Sequence, residues 1–82
     1  MLPLIEIYSK DECCLCDEAK AVLLKVKQEI PFELREIKIQ DDANLLKEYG
    51  HKIPVVFING RMAFKHHVYE LELKEKLYKE ST

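Results

Sequence analysis

The chain predicts an α/β fold in the order βαβαββα, a four-stranded mixed sheet with helices on both faces. Three observations predict it. Short β-branched runs alternate with segments of helical period. An Asn59-Gly60 pair between two apolar runs closes a hairpin. Pro31 and Gly50 stand where two helices should stop.

Each element follows in turn. Leu4-Ile5-Glu6-Ile7-Tyr8 is β-branched and aromatic, and Ser9-Lys10-Asp11 breaks it, so it reads as the first strand. From Cys14 to Glu29 apolar residues recur at helical spacing, with Leu15, Ala19, Val22 and Val26 in one stripe and Leu23 and Ile30 flanking it. Pro31 ends that helix, and the alternation across Phe32–Ile39 predicts a half-buried strand. Asp41 or Asp42 can cap a short helix running to Tyr49, with Gly50 as a left-handed stop.

Val55–Ile58 and Arg61–Phe64 flank the two-residue turn as hairpin strands. A regular register sets Phe57 opposite Met62, Val55 opposite Phe64, Val56 opposite Ala63 and Ile58 opposite Arg61. A last helix over Val68–Lys79 aligns Tyr69, Leu73 and Leu77, with Leu71 and Tyr78 beside them. Because a helix joins the first two strands, they should run parallel through a right-handed crossover.

The 82 residues predict a single domain over 1–82. A chain of this size buries roughly 60% of its unfolded surface, an adequate but thin core. Hydrophobic residues make up 48% and charged residues 34%, and 13 basic and 15 acidic side chains mix along the chain to a net charge of −2. That balance argues against nucleic acid and anionic membrane as partners. The N-terminal residues lack the basic stretch and long apolar run of a secretion signal, and no apolar run matches a membrane span, so a cytoplasmic location is expected.

All three cysteines lie in Cys13-Cys14-Leu15-Cys16. A bridge within so short a loop removes little unfolded-state entropy, so stability is a poor reason for it. Reactivity is the better one, since a Cys-x-x-Cys pair at a strand-to-helix junction suits thiol–disulfide chemistry. Positions i and i+3 return to nearly one helix face, so Cys13 and Cys16 can meet, whereas bridging adjacent Cys13 and Cys14 would strain the peptide between them. Cys13 is expected to be the exposed attacking thiol and Cys16 the buried resolving one.

The helix N-terminus favours the Cys13 thiolate. Lowering a thiol from pKa about 8.5 to about 6 raises its thiolate fraction at neutral pH roughly 30-fold. Intrinsic nucleophilicity falls roughly 10- to 20-fold in the same change, so the main gain is a better leaving group. Lys10 would add to the shift, and Glu12, Asp17 and Glu18 would oppose it. Asp17 is either a first-turn carboxylate stabilising the helix dipole or a proton acceptor for Cys16. Cys14 either tunes the dithiol or is a tolerated small residue.

Tyr8-Ser9-Lys10 leading into Cys13-Cys14-Leu15-Cys16-Asp17, with Ile53-Pro54-Val55 opening the third strand, resembles the glutaredoxin branch of the thioredoxin superfamily. The resemblance is closest to small glutaredoxin-like proteins carrying Cys-x-Leu-Cys-Asp and covers essentially the whole chain. It implies a thioredoxin/glutaredoxin-like fold and a disulfide oxidoreductase whose only redox group is the Cys13–Cys16 disulfide. It also implies that Ile53-Pro54 is a cis-proline loop facing the dithiol, with Lys10, Ile53 and Pro54 on the substrate side. Ile53 would offer main-chain groups to a substrate strand.

Implied partners are a disulfide-bearing protein or small molecule and a reductase or thiol donor, with the chain a monomer. Glutathione is a candidate co-substrate. Against it, Lys65-His66-His67-Val68-Tyr69-Glu70 replaces the Gly-Gly turn that usually holds the tripeptide in this family.

The rival class is a metal or iron–sulfur binding module without disulfide turnover. A closed tetrahedral zinc site needs a second well-placed pair. His66-His67 is adjacent rather than spaced, and reads as a capping or surface feature, so no metal ligand is assigned.

Overall fold

The computed structural model describes residues 2–81. Its strands are β1 (Leu4–Ser9), β2 (Glu33–Lys38), β3 (Val55–Ile58) and β4 (Arg61–Lys65), and its helices are α1 (Cys14–Lys27), α2 (Ala43–Tyr49) and α3 (Glu70–Ser81). A single 3-10 turn, Ile39–Asp41, precedes α2. The sheet order is β2-β1-β3-β4. β1 pairs parallel with β2 from Leu4↔Glu33 to Ser9↔Lys38, and antiparallel with β3 from Ile5↔Ile58 to Tyr8↔Val55. No helix among the described residues is long and apolar enough to cross a membrane.

Two apolar clusters flank the sheet. The larger joins Ile5 and Ile7 of β1, Ala19, Leu23 and Val26 of α1, Val56 and Ile58 of β3, Phe64 of β4, and Leu73 and Leu77 of α3. Each fully buried aliphatic side chain there contributes about 1.5–3 kcal/mol relative to exposure. The smaller gathers Cys16, Ile39 and Ile53, with Tyr8, Cys13, Leu45 and Tyr49 packed against it. Lys25–Glu70 (3.0 Å) also ties α1 to α3, and Lys74–Glu29 (2.6 Å) ties α3 to the turn that follows α1. Exposed pairs of this kind contribute about 0–1 kcal/mol each.

Local chemistry accounts for the element ends. Asp42 caps α2 by accepting from the Asn44 and Leu45 N–H groups at 2.9 and 3.2 Å. Asn59 and Gly60 both take positive φ, +49° and +84°, as the tight hairpin turn demands. Ile39, expected to end β2, instead starts the 3-10 turn and is fully buried in the smaller cluster. Strand β2 lies at the sheet edge, so only Leu34, Ile37 and Lys38 are even half-buried and the expected alternation is weak.

Four further sequence expectations need correction. Gly50 is right-handed (φ −54°), not left-handed. Its reason is space, because a Cβ there would collide with the Leu46 carbonyl oxygen. The hairpin register holds at Phe57↔Met62 and Ile58↔Arg61 but then shifts, pairing Val56 with Phe64 and Val55 with Lys65. Ala63 is the extra residue of a β-bulge, which turns Phe64 onto the same core face as Val56.

On α1 the buried line is Cys16, Ala19, Leu23 and Val26, whereas Leu15 is 38% exposed in the first turn. Tyr69 precedes α3 rather than lying in it. Its carbonyl accepts the Leu73 N–H at 2.9 Å and its ring is exposed, so Val68 fills the core position instead.

Candidate functional site

The site lies where β1 runs out and α1 begins. Between them, Glu12 takes φ +56°, a left-handed conformation costing a non-glycine residue about 1–2 kcal/mol. The turn is pinned from the next strand's end. The Asp11 N–H donates to Gln40 Oε1 at 2.6 Å, Gln40 Nε2 donates to Asp11 Oδ2 at 2.8 Å, and Lys38 Nζ lies 3.1 Å from Asp11 Oδ1. Bonding to Lys38, and then to Gln40, holds the Asp11 carboxyl below its usual range.

That pinned turn delivers Cys13 to the helix N-cap position with extended backbone. Its Sγ accepts the Cys16 N–H at 3.2 Å and its carbonyl accepts the Asp17 N–H at 3.0 Å. Cys13 and Cys16 are joined as a disulfide, with Cα atoms 5.2 Å apart. The two sulfurs differ in access, for Cys16 is 0% exposed and Cys13 is half-buried. An external thiol or disulfide can approach the bond only from the Cys13 side. Cys14 carries an exposed free thiol.

Electrostatics beside α1 centre on Glu36. Its Oε2 accepts from Ser9 Oγ at 3.0 Å and lies 2.8 Å from Lys20 Nζ and 3.3 Å from Lys38 Nζ. The Lys20 bond, against an opposing burial effect, holds the Glu36 carboxyl below its usual range. Ser9, fully buried, is thereby satisfied. Asp17 faces solvent and lies 3.6 Å from Lys20, so it joins this ionic line. Lys10 is exposed at the end of β1.

Opposite the dithiol runs the segment entering β3. The Ile53–Pro54 peptide bond is cis, and both residues are buried. Ile53 packs in the same cluster as Cys16 and Cys13, so the fold brings three of the sequence-selected residues, Cys13, Cys16 and Ile53, to one place, with Pro54 next in the chain. Ile53 N–H and C=O bond to no other backbone group among the described residues.

Sequence reasoning missed the aromatic wall beside this cluster. Tyr8 meets Tyr49 edge-on at 4.9 Å and Phe57 at 5.1 Å, and Lys52 lies over the Tyr49 ring at 5.9 Å. Burial, then Tyr49, pushes the Tyr8 phenol above its usual value, so it stays protonated. The only sequence signal was a tyrosine on the β1 face opposite Ile5 and Ile7. A concavity lined by Arg61, Met62 and Lys76 lies at the hairpin-turn end, opposite the dithiol end of the sheet. Among the described residues no three or more His, Cys, Asp or Glu side chains are grouped to hold a metal ion.

Comparison with known proteins places this architecture. The family model described as glutaredoxin-like domain (DUF836) matches residues 4–78. A protein from Nitrosomonas europaea, solved by solution NMR, is similar over 94% of this chain and 93% of its own, at 23% identity and a TM-score of 0.81. An X-ray structure of a protein from X. campestris is 28% identical over 92% of this chain and 96% of its own, with a TM-score of 0.78. Mitochondrial thioredoxin 3 from Saccharomyces cerevisiae, in its oxidized form, shares the fold at 16% identity and a TM-score of 0.67, over 94% of this chain and 77% of its own.

Proposed function

The chain belongs to the glutaredoxin-like domain family, and we propose that within it the protein is a thiol–disulfide oxidoreductase that reduces disulfides through a mixed disulfide on Cys13. One observation carries the reading: an approachable sulfur is bonded to a fully buried one at the first turn of α1. That asymmetry assigns attack to Cys13 and resolution to Cys16.

In the reduced protein the Cys13 thiolate, favoured by the helix N-terminus, attacks one sulfur of a substrate disulfide. The substrate S–S bond breaks, a Cys13–substrate bond forms, and the departing thiolate takes a proton from water. Cys16 then loses its proton and attacks the Cys13 sulfur, releasing the second substrate thiol. Two electrons and two protons have passed to the substrate, and the Cys13–Cys16 disulfide remains. A separate thiol donor or reductase returns the pair to the dithiol.

Ile53 and Pro54 form the docking side in this reading. Ile53's uncommitted N–H and C=O, held beside Cys13, suit main-chain pairing with an extended substrate segment. Lys10 borders the approach with a positive charge, while Asp17 and Cys14 act only on the local field.

The test is stoichiometric exchange. Pre-reduced protein mixed with oxidised insulin should lose two hydrogens, localised by peptide mapping to Cys13 and Cys16, for each insulin disulfide opened. An unchanged dithiol in the presence of excess insulin disulfide would overturn the assignment.

A further inference from the structure

His66 follows the last residue of β4 and adopts φ +69°. The His67 N–H donates to the Lys65 carbonyl at 2.8 Å, so His66 is the centre of a γ-turn of the rare, strained hand. Glycine would take that backbone without penalty. The reason for an imidazole should therefore lie in what the side chain touches.

Its ring Nε2 lies 3.0 Å from the His51 carbonyl oxygen. A carbonyl only accepts, so the ring carries a proton on Nε2. The His66 backbone N–H is shared between the carbonyls of Pro54 at 2.8 Å and Lys52 at 3.2 Å. One residue thus grips three of the four carbonyls from His51 to Pro54. The ungripped one belongs to Ile53, whose main chain is the docking edge of the proposed function.

Resting on that reading, we propose that His66 is a positioning residue: its imidazole holds the His51–Pro54 segment so that Ile53 meets an extended polypeptide substrate in a fixed geometry. A small disulfide reacting directly at Cys13 makes no use of that edge. The role is one of substrate class, polypeptide over small molecule, rather than of thiol reactivity.

The experiment compares otherwise wild-type protein, His66→Gly and His66→Gln, each carrying Cys14→Ser because the exposed free thiol would itself react with a disulfide. Gly keeps the backbone bonds, relieves the positive φ and removes the ring contact, while a Gln amide can reach the His51 carbonyl again. Rate constants are measured by stopped flow for the pre-reduced proteins with oxidised insulin and with 5,5′-dithiobis(2-nitrobenzoate). Loss of one positioning hydrogen bond predicts an insulin rate about five- to tenfold lower for His66→Gly. The small disulfide should react within about twofold of wild type, Gln should restore the insulin rate, and amide exchange at Lys52 and Val55 should quicken only in the Gly variant.

Insulin rates unchanged by Gly, equal losses on both disulfides, or a Gln variant as slow as Gly would each overturn the proposal. Failure of wild type on both disulfides would instead overturn the redox reading beneath it.

Discussion

Replacing Cys16 by Ser should convert a transient intermediate into a product that can be isolated. In the wild-type geometry the two Cα atoms are 5.2 Å apart and the sulfurs are within bonding reach, so resolution is intramolecular. Well-oriented intramolecular reactions reach effective concentrations of about 10⁵ M, and even about 1 M would outrun about 1 mM of free thiol roughly 1000-fold. The mixed disulfide on Cys13 should therefore persist at least about 1000 times longer in Cys16→Ser. Burying the serine hydroxyl at a fully buried site costs about 1–3 kcal/mol, which a domain of ordinary stability survives.

Because Cys14 is exposed and free, both test variants need Cys14→Ser as background. Oxidised insulin is added to the reduced proteins, the reaction is quenched with acid, and intact masses are read. Cys14→Ser/Cys16→Ser should carry one covalently bound insulin molecule, and Cys14→Ser/Cys13→Ser almost none, since Cys16 is sealed in the core. Equal adduct on both variants, or adduct on Cys16 alone, would refute the division of roles.

Further outcomes follow from the same geometry. Leu23→Ala should cost about 2–5 kcal/mol, seen as a lower urea midpoint, because Leu23 is 0% exposed in the larger cluster. Asp42→Ala removes the cap of α2 and should lower stability by about 1 kcal/mol, or about 4–8 °C in Tm by circular dichroism. The Glu36 carboxyl is lowered from about 4.5, so its stabilisation is present above that pH and is lost as pH falls through the folded-state value. The gap in urea midpoint between wild type and Glu36→Gln should thus be open at pH 7 and narrow below pH 4.5.

The legible parts of this chain were those set by local chemistry. Asn59-Gly60 dictates a left-handed two-residue turn, Asp42 precedes its helix with the right oxygen, and Cys13 with Cys16 can meet only if a helix starts between them. The illegible parts depend on contacts distant in sequence. The bulge at Ala63 exists because Phe64 has a core to enter, which no periodicity within Arg61–Lys65 encodes. Leu15 satisfies helical spacing yet lies in the first turn of α1, outside the buried line from Cys16 to Val26.

Gly50 carried a correct stop signal with the wrong mechanism, close approach to Leu46 rather than a left-handed turn. His66 was the least readable. Its neighbours suggested a surface feature, and only the fold places its ring against His51, fifteen positions away.

A redox titration of the Cys13/Cys16 pair tests the central claim most directly. Equilibrating the protein in buffers of graded potential, trapping free thiols and counting labels on each cysteine should give one two-electron transition confined to Cys13 and Cys16. The account predicts a midpoint between about −270 and −120 mV, the span of catalytic dithiols. A midpoint below about −300 mV, as in structural disulfides, or failure of the two sulfurs to bond on mild oxidation, would contradict it.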